Sequence, residues 1–179
     1  PQAVVFVDIV GYTSRSKTLT EAELVAWIED FESATTDLVG SVGGRIIKNI
    51  GDEVLFVVDD PTDAVRVSLQ MVARGSDADD PYPEVRAGVA YGEVVLRLGD
   101  VFGPTVNIAA RLTSVARPGT VLVDRGAHDV LAGVDDEEGA GDRAEHDRAD
   151  EPAYALKRVR NVSVKGYSRL AVWRVRERS

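Results

Sequence analysis

At 179 residues the chain is long enough for one domain with an ordinary core, and its 44% apolar content is that of a globular protein, not a disordered one. There is no cysteine, which excludes disulfides, thiolate metal sites and cysteine nucleophiles, and the two histidines, His128 and His146, sit in separate, weakly patterned stretches that do not support a histidine triad or zinc site. The net charge of -9 argues against a nucleic-acid or anionic-membrane surface, and most of it is local: residues 135–151 carry nine acids and two arginines, which sum to -7. That segment reads as a solvated, mobile loop. No apolar run approaches the roughly 18 residues that span a bilayer, and no signal-peptide pattern is present. The strand pattern starts abruptly at Pro1, as expected of a single domain within a longer, regulated protein. Any membrane attachment would then lie in other segments. A cysteine-free chain is compatible with the cytoplasm or the cytoplasmic face of a membrane.

Residues 3–8 (AVVFVD) form an apolar run ending in an aspartate, which predicts a buried strand. A polar turn follows at Gly11, Tyr12, Thr13 and Ser14. Leu24, Trp27, Ile28, Phe31, Ala34 and Leu38 then recur at spacings of three and four, an amphipathic helix with Thr20 as N-cap and Glu23 completing a capping box. Two short strands, GGRIIKNI and EVLFVV, flank a tight turn at Gly51-Asp52. Residues 60–74 predict a second helix with Pro61 in its first turn. Residues 84–98 alternate like a long strand or hairpin. Residues 104–116 predict a third helix, and TVLVD a short strand after Pro118-Gly119. One or two final strands surround Gly166. The order is β-α-β-β-α-β, a split βαβ, ferredoxin-like antiparallel sheet (an α+β fold) with an appended C-terminal β segment.

In such a sheet the first strand and the 51–52 turn are neighbours, so Asp8 and Asp52 can converge. Two hard carboxylate ligands suit Mg²⁺ or Mn²⁺, which take waters and substrate phosphates as further ligands. Taken singly, each aspartate is also an ordinary turn residue. The turn after Asp8, at Ile9, Gly11, Tyr12 and Thr13, offers backbone N–H groups to a phosphate. Strand parity places Lys48 on the face of Ile46, Ile50 and Asp52, where a cation needs an acceptor. Asn107 and Arg111, four apart, share one helix face, and the arginine fork suits a phosphate oxygen. Lys165 lies before a glycine turn in a basic stretch.

VVFVDIVGYT (4–13), GGRIIKNIGDEVLFV (43–57), RAGVAYGEVV (86–95), LGDVFGPTVNIAARL (98–112) and VRNVSVKG (159–166) together resemble the motif series of the class III adenylate/guanylate cyclase catalytic domain, in order and over nearly the whole chain. The resemblance implies that Asp8 and Asp52 hold two divalent metal ions, with the Ile9 carbonyl as a further ligand. It implies that Lys48 and Asp100 read the purine, with the small Ala110 beside the base. Asn107 would orient the ribose, Arg111 would stabilise the transition state, and Lys165 would bind the triphosphate. Asp100 can accept from the adenine amine and Lys48 can donate to a ring nitrogen, whereas guanine presents the reverse pattern, so the pair implies ATP and cyclic AMP. It also implies a homodimer with composite sites between the two chains.

The chain departs from the pattern at Glu93, where some members carry a phosphate-binding arginine. Three other readings remain: a guanylate cyclase, a diguanylate cyclase suggested by IGDEVLF, and a catalytically silent nucleotide-binding dimerisation module. The diguanylate cyclase reading lacks a second glycine in its motif and gives Asn107 and Arg111 no role.

Overall fold

A computed structural model describes residues 1–134, 153–160, 162–167 and 169–179, so the acidic stretch 135–151 lies outside the described residues. The strands are β1 Gln2–Ile9, β2 Arg45–Ile50, β3 Glu53–Val58, β4 Val85–Gly92, β5 Val95–Arg97, β6 Asp100–Phe102, β7 Val121–Val123, β8 Tyr154–Val159 and β9 Val172–Glu177. The helices are α1 Tyr12–Ser16, α2 Glu21–Ser41, α3 Pro61–Ser76, α4 Pro104–Val115 and α5 Arg125–Leu131. Among the described residues seven strands form one sheet in the order β2-β3-β1-β4-β7-β9-β8, antiparallel except for β4 beside β7. No described helix is long and apolar enough to cross a membrane.

β1 is central and covered on both faces, which is why it reads as an unbroken apolar run. Its odd residues, Val5 and Val7, face a core made with Phe31 of α2, Met71 of α3 and Trp173 of β9. Its even residues, Val4 and Phe6, face α4 through Ala109, with Leu55 and Val57 of β3. Helices therefore sandwich the sheet, with α2, α3 and α5 on one side and α4 on the other. α4 lies very close to the sheet at Gly88, where a Cβ would come within 2.6 Å of Thr113. That approach fixes where Asn107 and Arg111 sit, because both project from this helix.

The α2 cap is as expected, with the Thr20 hydroxyl accepting from the Glu23 amide at 3.2 Å. Three features differ from the expectations above. Residues 12–16 form a one-turn helix, α1, not a loop. The 84–98 stretch divides into β4 and a separate hairpin, β5–β6, because Leu98 (φ 53) and Gly99 (φ 75) turn the chain back. Short α5 falls where the pattern carried little signal. Only Ala127 and Leu131 are buried there, and the helix is started by the Asp124 carboxylate accepting from Ala127.

Candidate functional site

The register brings β1 and the β2–β3 turn together as the sequence implied. Asp8 lies opposite Glu53, and the Ile9 amide donates to the Asp52 carbonyl at 2.9 Å. Asp8 follows Val4 and Phe6 on the α4 face, where it pairs with Arg86 of β4. Nε and Nη2 of Arg86 donate to Oδ2 of Asp8 at 3.1 and 2.9 Å, while Oδ1 takes no bond from Arg86. Nη1 of the same guanidinium donates to the Ser114 and Ala116 carbonyls at the end of α4. One arginine thus ties the aspartate, the sheet and the helix end together.

Burial pushes the Asp8 carboxyl above its ordinary range, the Arg86 hydrogen bonds pull it back, and the charge of Asp52 raises it again. Glu53 is raised by burial and then by the charges of Asp8 and Asp52. Three acids, with one arginine between them and the helix end, leave a local excess of negative charge. Among the described residues no three acidic or histidine side chains come together as a metal site. A hard divalent cation that takes its other ligands from water and substrate phosphates needs only one or two carboxylates, and Asp8 and Asp52 could supply those.

Beyond Ile9 the chain turns at Gly11, which adopts the left-handed conformation (φ 70) and starts α1 without a side-chain cap. Tyr12 and Thr13 open that helix, so their amides have no intrahelical acceptor. α1 is pinned to α2 by the Tyr12 and Trp27 rings, stacked at 6.0 Å, with Arg15 lying 4.7 Å over Trp27.

Lys48 reaches a different neighbour. Its Nζ lies 3.1 Å from both carboxylate oxygens of Asp100 at the start of β6. The Val101 amide donates to Asp100 Oδ1 at 2.8 Å, and that bond, followed by Lys48, holds the carboxyl below its usual value. Strand parity had Lys48 on the face of Ile46, and the structure corrects this. A β-bulge between Ile46 and Lys48 places Lys48 opposite Leu55, while Ile46 stands opposite Phe56 on the other face. The bulge moves Lys48 to the α4 side, where Asp100 stands.

Asn107, Ala110 and Arg111 of α4 line a cavity of about 420 Å³ with Lys165, Gly166 and Tyr167. Neither the aspartates nor the Lys48–Asp100 pair lines that cavity. The predicted residues therefore form three groups: Asp8 with Asp52 and the following turn, Lys48 with Asp100, and Asn107, Ala110 and Arg111 with Lys165. Glu93 is exposed, and its carbonyl accepts from the Thr105 hydroxyl. Sequence reading missed Arg86 and Glu53 as partners of Asp8. Both were inside quoted motifs, but their meeting depends on strand register, which spacing does not reveal.

The family model for the adenylate and guanylate cyclase catalytic domain matches residues 2–176. The chain is 47% identical over 122 residues to an adenylate cyclase of Streptomyces coelicolor, covering 68% of this chain and 32% of that protein. It is 44% identical over 123 residues to an adenylate cyclase of Glutamicibacter nicotianae, covering 69% and 30%. The chain spans about a third of the length of these curated relatives. Among solved structures, the catalytic core of a rhodopsin-guanylyl cyclase with converted specificity, in complex with ATPalphaS, superposes with a TM-score of 0.81 at 19% identity, covering 99% of this chain and 96% of that one. The adenylyl cyclase CyaB from P. aeruginosa gives 0.72 at 20% identity, covering 99% and 94%. At these identities the structures share the fold.

Proposed function

Because the chain belongs to the adenylate and guanylate cyclase catalytic-domain family, we propose that it converts ATP to 3′,5′-cyclic AMP and pyrophosphate, as a homodimer with composite sites. The Lys48–Asp100 pair carries the choice of base. Asp100 keeps its carboxylate ionised and in place through the Val101 amide and Lys48, ready to accept from the adenine amine. Lys48, already beside it, donates to the adjacent ring nitrogen. A site built on such hydrogen bonds rejects the base with reversed donors, because its polar groups are then left unpaired.

Asp8, Asp52 and the Ile9 carbonyl would hold two Mg²⁺ or Mn²⁺ ions, which supply positive charge to the triphosphate and lower the pKa of the ribose 3′-hydroxyl. Arg86 holds Asp8 by Oδ2 and so presents Oδ1 outward. The amides at Gly11, Tyr12 and Thr13 receive phosphate oxygens. Asn107 orients the ribose, so that its 3′-oxygen attacks the α-phosphorus in line with the departing pyrophosphate. Arg111 spreads its guanidinium over the charge that builds on the phosphoryl oxygens, and Lys165 binds the polyphosphate. Glu93 gives no help to the phosphates, which leaves that work to Arg111, Lys165 and the turn.

The separation of the three groups within one chain supports a site completed by a second copy. The β5–β6 hairpin supports it too: Val95, Leu96, Leu98 and Phe102 are all exposed, and Leu98 is 94% accessible. Such an apolar arm is a contact surface in search of a partner.

The test is product formation by the purified chain with ATP or GTP and Mn²⁺, Mg²⁺ or EDTA. Cyclic AMP from ATP, abolished by EDTA and with little cyclic GMP from GTP, is the expected result. Mainly cyclic GMP would make the chain a guanylate cyclase and overturn the reading of Lys48 and Asp100. No product at dimerising concentrations would leave a silent nucleotide-binding module.

A further inference from the structure

A second cavity, of about 500 Å³, opens on the α4 side of the sheet beyond the helix end, among β7, β8 and β9. None of its lining residues lines the cavity of Asn107, Arg111 and Lys165. Arg117, Lys157, Arg160 and Arg174 line it, and among the described residues no acid does. Among the described residues these four make no ion pair. Arg158, also on the rim, is engaged elsewhere, with its guanidinium 4.8 Å over the Trp173 ring.

The placement is electrostatically costly. Lys157 and Arg174 stand directly opposite each other across β8 and β9, and like charges in that position destabilise a sheet. The chain carries a net charge of -9, so a concave surface whose described charged residues are all cations runs against its overall composition. The floor is different: Leu122 and Val159 are apolar, and the Ser163 hydroxyl is at the edge.

We infer that this cavity binds a small molecule bearing two or more phosphate charges, at a site separate from the one that carries the cyclase chemistry. Three guanidiniums and an ammonium around one cavity match several anionic oxygens, and the planar fork of arginine suits phosphate in particular. The volume lies in the small-molecule range, and the apolar floor accepts a ring or ester group attached to the phosphates. The bound anion relieves the Lys157–Arg174 repulsion. The inference rests on the cavity alone and stands whether or not the chain makes cyclic AMP.

Inorganic tripolyphosphate, titrated calorimetrically into the full chain in EDTA, separates this site from any that needs a metal. Wild type binds, and K157Q/R174Q weakens binding at least tenfold, whereas R111A and K165Q, which alter the other cavity, retain a binding event of the wild-type affinity. R117Q/R160Q, which spares the β8–β9 pairing, shows the same loss and serves as the readout if the first double variant folds poorly. Without ligand, K157Q/R174Q melts at or above the wild-type temperature at low salt, and the difference closes as salt screens the pair. Three results overturn the inference: no binding by wild type in EDTA, undiminished binding by both double variants, or loss of binding in R111A and K165Q.

Discussion

Side-chain pairs set the chemistry of this chain, and two of them work differently. Arg86 and Asp8 meet across neighbouring strands, half out of solvent, and the arginine also closes the end of α4. The pair moderates a carboxylate that burial and Asp52 would otherwise make easier to protonate. Lys48 and Asp100 meet through a bulge, near solvent, where an ion pair by itself adds little stability. In the proposed site their value lies in being aligned to read a base. The double variant K48E/D100A should therefore keep its fold and melting temperature, while its ratio of ATP to GTP turnover falls by about 100-fold or more. Side-by-side kcat/KM measurements with the two nucleotides check this; an unchanged ratio places base selection elsewhere. Lys48 was legible in the sequence as a strand cation in need of an acceptor, but that the acceptor is Asp100 came only from the family resemblance, and the bulge leaves Ile46 on the opposite face from Lys48 and Ile50.

At the level of elements, local signals and tertiary contacts divide the work. The Thr20 cap and the Asp60 carboxylate, which accepts from the Thr62 amide, start α2 and α3 from sequence-local bonds. The contact between α2 and the loop before β4 is not local. Thr35 and Tyr82 share a hydrogen bond of 2.8 Å, and the Tyr82 ring lies 5.6 Å from Phe31. Burial pushes the Tyr82 phenol up to about 12 from an ordinary 10.0. The folded state thus holds this proton more tightly than the unfolded state. The stability it confers is fully present below about pH 10 and is lost as the pH rises towards about 12. Y82F should cost about 1 kcal/mol at neutral pH through the lost hydrogen bond, and should flatten the decline in stability between those pH values. Denaturant midpoints measured across the alkaline range decide it: an equally steep decline in Y82F assigns the loss to other groups.

For the whole molecule, the question is how three separated groups of residues make one site. In the proposed homodimer, one chain would supply the aspartates and the other Lys48, Asp100, Asn107 and Arg111. D52A and R111A, each inactive alone, should then regain activity when mixed, to roughly a quarter of the wild-type level if subunits exchange at random, with one intact site per mixed dimer. Replacing the arm residues in L98D/F102D should give a folded monomer by light scattering that is inactive at concentrations where wild type turns over. No recovery in the mixture, or an active monomer, would sink the composite-site reading.

The sequence by itself determined the central strand, the three long helices and the β1–β3 neighbourhood, and through the family resemblance it named the candidate site residues. The elements follow from apolar period, caps and turn residues, which act within a few positions of each other. Only the tertiary structure decided that Arg86 and Glu53 surround Asp8, that a bulge turns Lys48 towards Asp100, that β5–β6 stands apart as an apolar arm, and that four cations ring a cavity at β8 and β9. Each of these depends on the register between segments far apart in the chain, and a shift of one residue moves a side chain to the other face of the sheet.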